Sequence, residues 1–513
     1  MVWSRHQQSA MVESRKIMWE IVPYTRGDVL EIGCGSQKTF PHFTGVDNCD
    51  HQKFGFAINP DIKSEGDDLY KVASDSHDAV FTSHVLEHFA QPQMALAEWW
   101  RVIKPGGHLV LYYPHEDFYP RVGQPGANPD HKANLNNELV IEWMRQIGAW
   151  DLVKNQKRNG GDEYSAYQVF RKLDGGPCRE SWRDAPQKTA IVCRFGAFGD
   201  LLQASSVIAG LKAQGFHVSL MCSPPQHEVM LHDPNIDCLM LQDKDQVPND
   251  RLWEYWDYWA KNCTKFVNLS ESVEGTLLAL KDRIQYRWSR QMRHERMNDN
   301  YLEFQHKLAG VPHRPAVRFY PTPEERFWAA ECRKRMGRRV VVWALAGSAL
   351  HKTWPWVDTV LERLLSVPGT EVVLAGGPQC TILEAGWVHE TRVHRTSGKW
   401  SIRQVLTFLE CADLVIGPET GVLNAASCLE VPKIVFLSHS SHENFCRDWV
   451  NTISLAPRAE DAPCYPCHML HVNSDAWKNC TQHVETGAAL CQAMIGPELC
   501  WQAIKEQLGL EAA

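Results

Sequence analysis

The sequence predicts an α/β protein built from several parallel-sheet domains. Three observations carry this. A chain of 513 residues is longer than one hydrophobic core supports, since single cores stop growing near ~250 to 300 residues. Short β-rich runs alternate with helical stretches along its length. Several of those runs lead directly into a loop bearing Gly, Ser or Thr.

Composition limits the classes open to it. With 44% hydrophobic and 22% charged residues the chain is neither disordered nor fibrous. Met1 to Pro23 mixes apolar residues with Arg5, His6, Glu13, Arg15, Lys16 and Glu20 and has no apolar core of the kind a secretion signal needs. No stretch approaches the roughly 20 apolar residues of a membrane-spanning helix. Seventeen scattered cysteines without an export signal favour reduced thiols, hence a soluble cytoplasmic protein; peripheral contact with an inner membrane stays open. A formal net charge of −8 argues against nucleic acid as a partner, because such binding rests on a basic surface.

The first unit runs from Asp28 to Pro114, with strands at Val29 to Ile32, Ala79 to Thr82 and His108 to Tyr113, and a helix over Met94 to Ile103. Its first strand ends in Glu31-Ile32-Gly33-Cys34-Gly35, where glycines let a ligand approach the backbone. The next strand ends in Gly45-Val46-Asp47 and offers a carboxylate to a ribose diol, or a cap to a helix. His84-Val85-Leu86-Glu87-His88 and Arg101-Val102-Ile103-Lys104-Pro105-Gly106-Gly107 follow. In this ordered set the chain resembles the class I S-adenosylmethionine-dependent methyltransferases, over roughly Val22 to Leu173.

That resemblance implies a Rossmann-like domain over 1–173. It implies that Glu31, Gly33 and Gly35 surround the methionine part of S-adenosylmethionine, that Asp47 holds the ribose, and that Glu65, or else Asp67, faces the adenine amine. The interval from Gly35 to Gly45 is short for the usual first helix. Methyl transfer needs an aligned nucleophile and, for a hydroxyl, a base. His84, His115 and His131 are the candidates, each also compatible with a structural role, while His88 reads as packing. The loop Asn128-Pro129-Asp130-His131-Lys132 is placed to cover an acceptor.

Residues 174–187, rich in Gly, Pro and charge, read as a linker. Beyond it, Ala190 to Cys193 is a strand, Arg194-Phe195-Gly196-Ala197-Phe198-Gly199 a glycine-bearing loop, and Asp200 opens a helix. Further along come Ala346-Gly347-Ser348 with Lys352, Trp354 and Pro355, then Leu374-Ala375-Gly376-Gly377, and Leu414 to Pro418 followed by Glu419-Thr420-Gly421. Here the chain resembles the heptosyltransferases of glycosyltransferase family 9. The resemblance implies a two-lobed GT-B architecture of Rossmann-like lobes, an acceptor lobe over 188–325 and a nucleotide-sugar donor lobe over 326–513. Asp200 is then the base, and Ser348, Lys352, Glu419, Thr420 and Gly421 bind the sugar-nucleotide donor, its diphosphate at the amides of Thr420 and Gly421, with inversion at the anomeric carbon.

Glu419 and Asn424 stand where the family usually has Asp and His, so the donor sugar stays open between heptose and another hexose. No metal is expected at either transfer site. Cys464, Cys467, Cys480 and Cys491, with His468 and His471 nearby, fit either structural zinc or a reduced loop.

The functional expectation is a bifunctional enzyme of saccharide, and on the heptosyltransferase side lipopolysaccharide, biosynthesis. It would transfer a sugar from a nucleotide-diphosphate donor to a glycan or lipid-linked acceptor and methylate a glycan or related small molecule with S-adenosylmethionine. Fusion would raise the effective concentration of a shared product. The alternative is a glycosyltransferase carrying a non-catalytic methyltransferase-fold binding module.

Overall fold

The computed structural model describes residues 13–48, 59–183, 186–271, 289–347, 349–468 and 480–510. Ser348 and His471 lie outside them. The chain forms two compact units, Met1–Gln187 with Leu241–Tyr258, and Lys188–Met240 with Trp259–Ala513.

The first unit holds one eight-stranded sheet in the order β3-β2-β1-β4-β5-β7-β6-β8. Its strands are β1 (Val29–Ile32), β2 (Thr44–Asp47), β3 (Ile62–Lys63), β4 (His77–Ser83), β5 (Ile103–Pro114), β6 (Trp150–Arg158), β7 (Ser165–Lys172) and β8 (Arg179–Glu180). β1 runs parallel to both β2 and β4, and β4 parallel to β5. β7 is antiparallel to its neighbours β5 and β6. Every residue of β1 is buried, as expected of a central parallel strand covered on both faces.

A short helix α1 (Glu13–Ile17) precedes the sheet. Helix α2 (Pro92–Val102) buries Ala95, Leu96, Trp99 and Trp100, and α3 (Asn137–Ile147) buries Val140, Ile141 and Met144. In each, the apolar positions recur three or four apart and make one stripe. Asn136 caps α3 by accepting a hydrogen bond from Leu139 N at 2.7 Å. These stripes share one core with Leu30, Ile32, Leu109, Leu111 and Phe170.

The short interval after Gly35 indeed forms no helix; residues 34–43 are turns and bends. Phe40 and Phe43 in this stretch are both buried, with ring centroids 5.3 Å apart and Phe43 6.4 Å from Phe81. Two features depart from the sequence reading of the boundaries. Residues 179–180 of the expected linker pair with β6. Residues 241–258 return to the first unit, because Gln246 donates to the carbonyls of Val22 and Thr25 at 2.7 Å each and Arg26 pairs with Asp243 at 2.9 Å. Such long-range polar contacts leave no local sequence signature.

The second unit carries two sheets. The four-stranded one has the order β11-β10-β9-β12, from β9 (Thr189–Cys193), β10 (His217–Cys222), β11 (Cys238–Leu241) and β12 (Lys265–Asn268), with β10 and β12 both parallel to β9. Helix α4 (Phe198–Ala213) follows β9. The six-stranded sheet, order β15-β14-β13-β16-β17-β18, uses β13 (Arg339–Ala344), β14 (Thr370–Ala375), β15 (Val393–Arg395), β16 (Leu414–Pro418), β17 (Lys433–Phe436) and β18 (Thr452–Leu455). All its pairings are parallel.

Helices α5 (Val357–Ser366), α6 (Gly421–Ala426) and α7 (Pro497–Leu508) accompany it. Trp354, part of the motif after β13, is a core residue. Its ring stacks on Phe436 at 4.5 Å and on Trp343 at 5.9 Å, and its indole N–H donates to Ile495 O at 2.8 Å, which ties the C-terminal segment to the sheet. The protein is therefore α/β throughout: a Rossmann-like N-terminal domain, then two Rossmann-like lobes. No helix among the described residues is long and apolar enough to cross a membrane.

Within the second unit, α4 and α6 meet at two glycines. A Cβ on Gly199 would stand 2.6 Å from Asn424 Nδ2 and 2.8 Å from Gly421 Cα. One on Gly421 would overlap the Phe198 ring. Gln203 Nε2 donates to Asn424 Oδ1 at 3.2 Å beside this crossing. Overpacking such a contact costs about 1 to 3 kcal/mol. Differential scanning calorimetry is therefore expected to show Gly199→Ala melting several degrees below the parent, while Gly386→Ala, whose Cβ meets nothing within 4 Å, melts with it.

Candidate active sites at the strand ends

In a doubly wound sheet, ligands bind beyond the carboxyl ends of the strands where the order reverses. Reversals fall between β1 and β4, between β9 and β12, and between β13 and β16.

At the first, Gly33 and Gly35 have φ of +70° and +59°, a region that favours glycine. A Cβ on Gly33 would also strike Val85. Gly33 N donates to Val46 O at 2.8 Å and Gly35 N to Asp47 Oδ2 at 3.1 Å, so the loop is moulded on β2. A Cβ on Gly35 would meet nothing within 4 Å, which leaves the backbone there open to a ligand. Glu31 is turned inward and accepts from Thr39 N at 2.8 Å and Thr39 Oγ1 at 2.5 Å. Burial raises its pKa to about 7, against the pull of those hydrogen bonds and of Lys38.

Glu65 is held beside the exit of β2 by Asn48 Nδ2 at 3.2 Å; Asp67 is exposed. The turn between them is pinned by Trp99 Nε1 donating to Gly66 O at 2.7 Å. The loop, the Asp47 carboxylate and Glu65 suit an adenosyl ligand, with the open backbone at Gly35 as the cradle.

Of the three histidines expected as bases, the structure brings two together. His84, with φ +55°, lies 3.0 Å from Ser165 Oγ through Nε2 and 3.5 Å from Glu13 Oε2. His131 Nε2 and His84 Nδ1 stand 3.7 Å and 3.8 Å from the same oxygen, Glu87 Oε1. Burial lowers the pKa of His84 to about 3, helped by Lys16, His131 and His88. It lowers that of His131 to about 4, helped by His88. Both imidazoles are neutral near pH 7, able to accept a proton but with little driving force.

His115 belongs to neither neighbour. Its Nδ1 accepts from Asp117 N at 3.0 Å, its buried Nε2 has no hydrogen bond among the described residues, and burial lowers its pKa. The sequence reading did not single out Glu87 or Glu13, and it gave His88 a packing role. The i, i+3, i+4 spacing of His84, Glu87 and His88 was the available signal.

At the second reversal Asp200 is buried and fixed from two sides. Its Oδ2 accepts from Ala197 N at 2.8 Å, and its Oδ1 lies 3.1 Å from Arg194 Nη2. Arg194 in turn donates to Leu269 O at 3.0 Å. The helix-capping role and a directed carboxylate are thus present in one residue.

At the third reversal the Lys352 stem lies over Gly347, with Cδ 2.6 Å from where a Cβ would be. Thr420 caps α6 by accepting from Leu423 N at 3.3 Å. Glu419, expected among the donor-binding groups, is spent internally. It is buried, accepts from Ser438 N at 2.9 Å, Ser438 Oγ at 2.8 Å and Ser440 N at 3.1 Å, and is ion-paired with His439. Burial alone would raise its pKa; the charge and hydrogen bond of His439, the Lys352 charge and the Ser438 amide together hold it well below the carboxylate range. Its role here is to shape the 438–440 loop. Cys464, Cys467, Cys480 and Cys491 line one cavity beside that loop, with His351, Ser438 and His439, and all described cysteines are free thiols.

Residues 30–111, which carry β1 to most of β5, match the methyltransferase domain family, so this segment is a methyltransferase domain and the protein is a transferase. No curated protein matches the chain. Among solved structures it is similar to a glycosyl transferase of family 9 from Veillonella parvula DSM 2008, with 15% identity and a TM-score of 0.46 over 64% of this chain and 99% of that one. It is also similar to the iron-containing dodecameric glycosyltransferase TibC from enterotoxigenic E. coli H10407, at 15% identity and a TM-score of 0.41, over 68% of this chain and 87% of that one. A third is an S-adenosylmethionine-dependent methyltransferase from Archaeoglobus fulgidus, at 18% identity and a TM-score of 0.23, over 32% of this chain and 94% of that one.

The Glu31 environment sets a pH dependence. Its folded pKa, about 7 against an ordinary 4.5, means that the folded state holds a proton the unfolded chain releases. The associated stability is fully present below about pH 4.5 and is lost as pH rises through about 7, a change of the order of 3 kcal/mol. Thermal melts from pH 5 to 7.5 are expected to show this decline in the first unit and a flatter profile for Glu31→Gln.

Proposed function

We propose that the protein is a bifunctional saccharide-modifying transferase. Its N-terminal domain would methylate a glycan or related small molecule with S-adenosylmethionine, and its second unit would transfer a sugar from a nucleotide-diphosphate donor to a glycan acceptor. The observation that carries this is positional: the residues of the three motifs stand at the three strand-order reversals, where such folds bind ligands.

In the methyltransferase domain, Gly33 and Gly35 keep the backbone open, Asp47 accepts the ribose hydroxyls, and Glu65, or else Asp67, accepts from the adenine amine. The sulfonium of the bound methyl donor supplies an activated methyl group. The chain's own task is to align the acceptor oxygen in line with it and take the hydroxyl proton. The neutral imidazoles of His84, His131 and His115 are the acceptors available for that proton.

In the sugar-transferring unit, Asp200 takes the proton of the acceptor hydroxyl as that oxygen bonds to the anomeric carbon and the nucleotide diphosphate departs. Lys352 and the amides of Thr420 and Gly421 receive the charge left on the diphosphate, a hydrogen-bonding role suited to a helix start. Attack opposite the leaving group inverts the anomeric centre.

A thermal-shift panel of S-adenosylmethionine with ADP-, GDP-, UDP- and dTDP-linked sugars tests the reading, since a ligand that binds the folded state stabilises it. Independent shifts with the methyl donor and one nucleotide sugar are expected; no shift with either would refute both assignments. Asp200→Asn is expected to lower sugar transfer at least about 100-fold and leave methyl transfer unchanged. Asp47→Ala is expected to weaken S-adenosylmethionine binding, measured by isothermal titration, about 10- to 100-fold, the loss of a hydrogen bond to a charged group.

A further inference from the structure

Beyond the end of β4 a buried carboxylate has lone pairs that no described residue answers. Glu87 is fully buried, and among the described residues neither of its oxygens finds a hydrogen-bond donor. Leaving such an acceptor unsatisfied costs roughly 1 to 3 kcal/mol, more for a charged one. Yet Oε1 has imidazole nitrogens from two elements gathered around it: His131 Nε2 at 3.7 Å, His84 Nδ1 at 3.8 Å and His88 Nε2 at 3.9 Å. These separations exceed hydrogen-bond range. They approach the spacing of ligands that share one ion, since donors about 2.0 to 2.2 Å from a tetrahedral cation stand about 3.3 to 3.6 Å apart.

The geometry points to a divalent transition-metal site formed by Glu87, His88 and His131, whose ligand atoms all lie within 4.8 Å of one another. Two imidazoles and a carboxylate suit zinc or iron in preference to magnesium or calcium, which favour all-oxygen shells. The surroundings are built accordingly. His88 Nδ1 lies 3.3 Å from Asp130 O; a proton donated there fixes the tautomer in which Nε2 carries the lone pair a metal takes. The loop bearing His131 is laced to the backbone of Glu87, with Lys132 N and Ala133 N both donating to Glu87 O, at 2.8 Å and 3.1 Å.

The site stands past β4 on the side of the β1/β4 reversal, and the ion would join the end of that strand to the loop 128–133. Three protein ligands leave a coordination position for water or a substrate oxygen. His84, 3.8 Å from the same carboxylate oxygen but bonded through its other nitrogen to Ser165, is the neighbour that would face it.

The test uses Co²⁺ alone, titrated into the full-length protein after chelation and dialysis and followed by visible absorption. A site of nitrogen and oxygen ligands gives d–d bands that saturate at one equivalent without intense near-ultraviolet thiolate charge transfer, and this distinguishes it from any binding by the C-terminal cysteines. The expected result is such bands in the parent, with Co²⁺ affinity at least about tenfold weaker in His131→Asn and His88→Asn at unchanged near-ultraviolet circular dichroism. A titration showing only thiolate-type bands, or none, overturns the site. So does parent-like affinity in both variants. Should either variant fail to fold, the parent spectrum in a Cys464→Ser, Cys467→Ser background decides, because the His and Glu ligands are intact there.

Discussion

The constraint on which the structure depends is the reversal of strand order in a parallel sheet. Neighbouring crossovers leave a central strand toward opposite faces, and the strand ends open a crevice that no helix fills. This chain makes that reversal three times, at β1/β4, β9/β12 and β13/β16. Each time the central strand is a buried run, Val29 to Ile32, Ala190 to Cys193 and Val340 to Ala344, apolar but for Glu31, and each time glycine-bearing loop residues follow where the strand stops. Chemistry is concentrated there because those are the positions at which backbone and side chains can face a ligand without breaking the core.

The buried charges at these ends are fixed by protein partners before any ligand is considered. Asp200 lies between the Ala197 amide and Arg194, and Glu419 among Ser438, His439 and Ser440. A carboxylate removed from water needs such partners to remain ionised in one orientation. Asp200 is held at the β9/β12 reversal with one oxygen on the Ala197 amide and the other beside Arg194. Glu419 likewise has both oxygens engaged and sets the path of the loop after β17. Glu87 contrasts with both, a buried carboxylate ringed by imidazoles at distances no hydrogen bond spans.

Close backbone approach is the second device. Gly33 is needed for its positive φ and because Val85 occupies the space a side chain would take. Gly199 and Gly421 are needed for packing, letting α4 and α6 meet at the level of their backbones. Motif glycines therefore serve a left-handed turn in one place and helix contact in another, a difference the motifs themselves do not express.

The sequence by itself determined the α/β class, the strands that end in functional loops, and the glycine and acid positions of the Glu31 to Gly35, Gly199-Asp200 and Glu419 to Gly421 segments. These follow from local hydrophobic runs and the backbone freedom of glycine, both written in consecutive residues. Only the tertiary structure decided that Phe40 and Phe43 are buried together in the turns after β1, that residues 241–258 return to the first unit, and that Trp354 belongs to the core. It also decided that Glu419 faces inward and that His84, Glu87, His88 and His131 converge while His115 stays apart. Those outcomes depend on contacts between residues distant in the chain, on which lone pairs are left unanswered after packing, and on how much room a neighbour's side chain leaves. None of these is a property of a local segment.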